Sequence, residues 1–107
     1  SKDGVHVLTP ETIELARQTE SDGKDLVLAQ MHTRFGLGFM LGTEDVSMGP
    51  NKNSMGHGGA GGSLGFADPD NKISLGFTMN QMHAGITAWK TATDVADSVY
   101  KTLSIKT

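Results

Sequence analysis

The densest run of residues able to support chemistry is Gly56-His57-Gly58-Gly59-Ala60-Gly61-Gly62-Ser63. His57 contributes an imidazole, able to act as proton donor or acceptor. The small residues after it would let a bound molecule approach main-chain N–H groups, and the chain then enters an extended segment. Oxyanion holes at strand edges are built in this way, with backbone donors aimed at developing negative charge. The same run also reads as a structural glycine corner, and local sequence leaves both readings open. Its match to the G-x-G-x-x-G dinucleotide fingerprint fails on context. That motif needs a strand before it, a helix after it and an acid about 20 residues on. Here a polar loop precedes, a strand follows, and no acid lies near residue 80.

Two other patterns carry less. Ser21-Asp22-Gly23-Lys24 matches S-x-x-K, a serine–lysine pair in which a helix start and the lysine together activate the serine. Asp-Gly inside it reads as a turn, so the segment is expected to be a surface loop. The four histidines, His6, His32, His57 and His83, are spaced by 26, 25 and 26 residues. None forms an H-x₃₋₅-H pair and no paired carboxylate accompanies them, so no metal site is expected. The six methionines and Trp89 read as core filler.

These residues need elements to hold them. Thr9-Pro10-Glu11 reads as a helix start, with Thr9 as cap, Pro10 in the first turn and Leu8 stapling onto Ile13. This helix is expected to end near Gln18–Glu20. From Arg34 to Leu41 the period changes to two, with Phe35, Leu37, Phe39 and Leu41 on one face and Gly36, Gly38 and Met40 on the other. Glycine inside a strand marks a place where another backbone or a ligand comes close. Residues 42–56 read as a polar loop. Leu64–Ala67 and Ile73–Asn80, joined by the turn Asp68-Pro69-Asp70-Asn71, make an antiparallel hairpin. A last helix is expected with a Thr91–Asp94 capping box and Ala92, Val95, Ala96, Val99 and Leu103 at helical spacing. The class is therefore α+β, an antiparallel sheet of about three strands packed with an N-terminal and a C-terminal helix.

Composition removes several functions. A chain of 107 residues is room for one small domain. Nine Lys and Arg against twelve Asp and Glu give a net charge of −3, scattered without a basic cluster, and only six residues are aromatic. That argues against a nucleic-acid groove. No apolar run has the roughly 18–20 residues of a membrane span, and the start shows no signal-peptide pattern. The absence of cysteine removes a disulfide scaffold and a thiol nucleophile, and leaves the compartment unspecified. Glycine, at 14 residues, is the one excess, and it is concentrated between Gly36 and Gly76.

Taken together, Arg34-Phe35-Gly36-Leu37-Gly38-Phe39, the run from Gly56 to Ser63, Phe66-Ala67-Asp68-Pro69 and Met79-Asn80-Gln81-Met82 resemble one family. The chain is similar to the C-terminal part of the serine β-lactamase-like proteins, which include class C β-lactamases, penicillin-binding proteins and carboxylesterases. The closest likeness is to the esterase-like branch with His-Gly-Gly as its third motif. The resemblance runs from Leu8 to about Leu103. It implies a machine of three motifs: a serine–lysine pair, a Tyr-x-Asn or Tyr-x-Ser, and Lys/His-Thr/Gly-Gly on a strand.

Only the third motif maps here. By resemblance His57 stands for its basic residue, Gly58 and Gly59 let substrate lie against the strand, and Ala60 donates one oxyanion-hole N–H. Ser21 and Lys24 lie on the wrong side of that motif, and Tyr100 sits in Tyr100-Lys101-Thr102 of the last helix. Residues 1–107 are accordingly expected to be the C-terminal part of a β-lactamase-like serine hydrolase, inactive alone, in a larger β-lactamase-like fold. The substrate of the whole enzyme would be a small ester or amide rather than a β-lactam, since the third motif lacks lysine. No cofactor is implied. The expected partner is the remainder of the enzyme with its S-x-x-K and Tyr motifs, and an open sheet edge beside Ile73–Asn80 would favour self-association. A non-catalytic self-associating or scaffold module on the same fold is the rival expectation, and a small-ligand binder using the glycine corner is a third.

Overall fold

Thr9 sets the first element. Its hydroxyl accepts the Thr12 N–H at 3.1 Å, Pro10 follows, and helix α1 runs over Pro10–Ala16. The computed structural model describes residues 3–84 and 89–105. α1 stops short of the expected Gln18–Glu20 because the chain returns against its end: the Ala16 carbonyl accepts the Leu37 N–H at 2.9 Å. That return requires glycine, since a Cβ on Gly36 would lie 2.1 Å from the Ala16 carbonyl oxygen. Leu8, expected to staple onto Ile13, is largely exposed.

Six strands follow: β1 (Ser21–Lys24), β2 (His32–Phe35), β3 (Met40–Leu41), β4 (Met55–Gly58), β5 (Leu64–Asp68) and β6 (Ile73–Phe77). They form one antiparallel sheet in sequence order, each strand pairing with the next. The expected count of about three is therefore too low, for three physical reasons. The expected strand from Arg34 to Leu41 folds back on itself: the Gly36 N–H donates to the Phe39 carbonyl at 2.9 Å, and Gly38 takes φ +83°, so β2 and β3 are a tight hairpin. The expected loop 42–56 ends in β4. Ser21-Asp22-Gly23-Lys24 is a strand rather than a turn, because ladder hydrogen bonds to β2 use backbone groups that polar residues also own. The antiparallel hairpin of β5 and β6 agrees with expectation, although β5 takes in Asp68, which pairs with Ile73, and β6 ends at Phe77 rather than Asn80.

Helix α2 (Lys90–Thr102) lies on one sheet face. It buries Ala92, Ala96 and Tyr100 against Met40, Leu64 and Phe66, with Val46 and Met48 from the β3–β4 connection completing the core. Ala92 and Ala96 are buried as expected and bring the helix close, Val99 is half-buried, and two other expected positions turn away. Val95 and Leu103 are exposed. Nor does a Thr91–Asp94 box cap the helix: Trp89 precedes its first residue without a side-chain cap, and Asp94 accepts from Lys90 Nζ at 2.7 Å instead. On β2, next to the edge strand β1, His32 lies between two carboxylates. Its Nε2 meets Asp22 of β1 and its Nδ1 meets Glu44 at 2.7 Å. These partners, Asp22 foremost, push the imidazole above its ordinary value.

A single carboxylate anchors α2 to the sheet. Asp68, at the end of β5, is 0% exposed. Its oxygens accept from the Tyr100 hydroxyl at 2.5 Å, from Asn51 Nδ2 at 2.7 Å, and from Asn71 Nδ2 at 2.8 Å and backbone N–H at 3.2 Å. Burial alone pushes the Asp68 carboxyl up, but the bonds from Tyr100, Asn71 and Asn51 together outweigh it and hold it below the usual carboxylate range. Burial, then the facing carboxylate, drives the Tyr100 phenol far up, so it remains a donor.

Removing that donor leaves a buried carboxylate one bond short, so Tyr100→Phe is expected to cost about 1–3 kcal/mol by urea unfolding. Because the folded pKa of Asp68 is depressed, its stabilisation is present above the unfolded value of about 3.9 and is lost as pH falls through the folded value. Stability should therefore drop on acidification below about pH 4, and this acid-side loss should shrink in Asp68→Asn.

Candidate functional site

β4 ends in His57 and Gly58, and the chain runs on through Gly59 and Ala60. Gly56 is dictated by packing, since a Cβ there would stand 2.1 Å from the Gly65 carbonyl oxygen. His57 and Gly58 alternate to opposite faces. Gly58 meets the indole of Trp89, and its missing Cβ would be 2.7 Å from Nε1. Trp89 is itself pinned by donation from Nε1 to the Ser63 carbonyl at 3.1 Å. Residues 59–63 then close on themselves: the Gly59 N–H donates to the Ser63 carbonyl at 2.8 Å and the Gly62 N–H to the Gly59 carbonyl at 3.1 Å. Gly62 adopts φ +116°, which a side chain would oppose.

His57 is exposed, and its ring stands 6.2 Å from that of Phe35. Nδ1 lies 2.6 Å from the Gly58 carbonyl oxygen. A carbonyl can only accept, so Nδ1 carries the proton and the neutral ring keeps a lone pair on Nε2. Ala60 is exposed at the tip of the turn, and among the described residues its N–H donates to no other backbone carbonyl. The arrangement thus offers one basic nitrogen and one backbone donor near the end of a strand. Those are parts for stabilising an oxyanion and shuttling a proton, without a nucleophile.

A bare track continues from His57. His57 pairs with Gly65 and Gly65 with Gly76, so these three residues form one row across β4, β5 and β6. No atom comes within 4 Å of a Cβ placed on Gly76, and only the Leu75 carbonyl, at 4.0 Å, meets one on Gly65. Sequence reading did not single out these two glycines, although their period-two position opposite Leu64, Phe66, Leu75 and Phe77 was a usable signal. Nor did it assign Trp89 its bracing role, which no local pattern marks.

The remaining candidates stand apart. Ser21 and Lys24 are on β1, three strand spacings (roughly 14 Å) from β4, and are exposed. Tyr100 is 1% exposed and committed to Asp68, so it belongs to the core. Among the described residues no group of three His, Asp or Glu side chains could hold a metal ion. Asp22 and Glu44 sit on opposite nitrogens of His32 and share no common point. Among the described residues no helix is long and apolar enough to cross a membrane.

A protein-family model described as Beta-lactamase matches residues 2–97. The chain belongs to the β-lactamase family. Among solved structures it is similar to a penicillin-binding protein homolog from Caulobacter crescentus, with 36% identity, a TM-score of 0.72, and coverage of 78% of this chain and 22% of that one. It is also similar to EstA from Arthrobacter nitroguajacolicus Rue61a, with 28% identity, a TM-score of 0.67, and coverage of 86% and 26%. The chain thus spans about a quarter of the length of these two proteins. No curated protein sequence matches it.

The packing of Trp89 on Gly58 generates a test of how this strand end is held. Gly58→Ala should push the indole aside and break its bond to Ser63, costing about 1–3 kcal/mol as overpacking does. Trp89 is the single tryptophan, so a shift of its fluorescence emission toward the solvent-exposed value reads the displacement directly.

Proposed function

We propose that this chain is the C-terminal part of a β-lactamase-like serine hydrolase that cleaves a small ester or amide by acyl transfer. The observation that carries the reading is the end of β4 in a β-lactamase-family chain. There His57-Gly58-Gly59-Ala60 joins an exposed imidazole holding a free Nε2 to an exposed residue, Ala60, whose N–H donates to no backbone carbonyl among the described residues. In this reading Ala60 donates one hydrogen bond to the oxyanion of the tetrahedral intermediate, and His57 binds substrate and relays a proton. Gly58 and Gly59 keep the strand end free of side chains where the acyl group lies. The serine nucleophile, its lysine partner and the tyrosine motif come from polypeptide outside these residues, because Ser21, Lys24 and Tyr100 occupy other places. A histidine in place of an ammonium favours esters over the carboxylate-bearing β-lactams.

The partner of this chain is then the remainder of its own enzyme, and β6 is the edge that receives it. That strand, Ile73-Ser74-Leu75-Gly76-Phe77, carries no charge and no proline, and among the described residues nothing pairs with its outer side. Such an edge also supports the second reading, a self-associating or scaffold module, since unguarded strands recruit one another.

Intact-mass measurement after a fluorophosphonate probe separates these. The 107-residue chain should remain unlabelled, whereas a polypeptide joining it to an upstream S-x-x-K segment should gain one adduct. An adduct on the 107-residue chain itself would sink the proposal, and failure of the longer polypeptide to react would favour the scaffold.

A further inference from the structure

The cavity beside α1 carries an arrangement that neither the third motif nor the core explains. It has a volume of about 200 Å³, and its lining includes Arg17, Arg34, Lys52, Glu14 and Asn53. Three cations therefore face one carboxylate, and that carboxylate is already taken: Arg17 Nη2 donates to Glu14 at 2.6 Å while its Nη1 bonds the Asn53 carbonyl. Arg34 and Lys52 have no carboxylate within 4 Å among the described residues. Asp22, directly opposite Arg34 across β1 and β2, turns instead to His32. Asp70 is held by Asn51 and Asn53, each at 3.0 Å.

One atom makes the deficit specific. Arg34 Nε is buried and has no hydrogen-bond partner. A buried guanidinium edge without an acceptor is costly, and a guanidinium is shaped to grip an oxyanion by two parallel bonds. Arg34 and Leu41, paired across β2 and β3, form the sheet side of this place.

We propose that this cavity is a binding site for a small oxyanion of the phosphate or carboxylate kind. Arg34 is its principal ligand, through Nε and the adjoining guanidinium N–H, and the Lys52 ammonium is the second. Arg17, fixed by Glu14 and Asn53, forms the wall and adds positive potential. The inference is independent of acyl transfer, as it uses none of His57, Gly58, Gly59 or Ala60.

The test is titration of the 107-residue chain with inorganic phosphate at constant ionic strength, balanced with sodium chloride and followed by the NMR signal of Arg34 Nε–H. A saturable shift of that signal is expected, with a melting temperature raised by roughly 5 °C at tenfold excess over Kd. Arg34→Gln should weaken binding by about tenfold or more, and Lys52→Gln by a smaller factor. Lys72→Gln, at the tip of the β5–β6 hairpin, should leave it unchanged. If Arg34→Gln does not fold, the Arg34 signal of the parent chain and the Lys52→Gln titration carry the test. A shift that never saturates, or equal affinity in Lys52→Gln and the parent chain, would overturn the proposal.

Discussion

The buried carboxylate of Asp68 is the constraint on which the rest of this structure depends. A charge removed from water is tolerated only when its oxygens are filled with donors, and here the donors come from three separate parts of the chain. Tyr100 brings α2, Asn51 brings the β3–β4 connection, and Asn71 brings the hairpin turn. None of the three can move far without leaving the charge exposed to an apolar core. Asp68 therefore does for this small domain what a larger core would do by area alone. It fixes where α2 sits, and α2 starts at Trp89, the residue that braces Gly58. The path from the core to the candidate site is thus short and covalent at one end.

The glycines divide into two kinds once the contacts are known. Gly36 and Gly56 are where backbone meets backbone, and Gly58 and Gly61 leave room for Trp89 and Met82. Gly65 and Gly76 do neither, since the face they share with His57 stands open. A strand accepts the entropic cost of glycine only where something must come near. Within this chain the first group satisfies that rule, and the second has no such neighbour.

Much of this was legible in the residues. The cap at Thr9, the β5–β6 hairpin and the family were read directly, because each rests on short-range chemistry or on an ordered set of motifs. The strand count was not. A period-two pattern looks the same whether a segment runs straight or folds back, and only the positive φ of Gly38 and the return of Leu37 to Ala16 separate β2 from β3. Ser21–Lys24 has turn composition yet pairs as a strand, since its partner in β2 lies ten or so residues ahead and no local pattern announces it. The face of α2 was misjudged in part: valine and leucine outrank alanine in hydrophobicity, but close approach to the sheet selects Ala92 and Ala96. For the candidate site, the residue types of His57–Ala60 were readable while their bracing by Trp89 was not.

The meander order of the sheet has a kinetic consequence. Every strand pairs with its neighbour in sequence, so each ladder closes only a short loop, and contact order is low for a β-rich domain. The long closures left over are the bond from Arg17 to Asn53, across 36 residues, and the docking of Tyr100 on Asp68, across 32. Folding should therefore proceed by zipping of successive hairpins, with the arrival of α2 as the late step that commits the domain. A chain of this kind can organise its sheet one hairpin at a time as it leaves the ribosome.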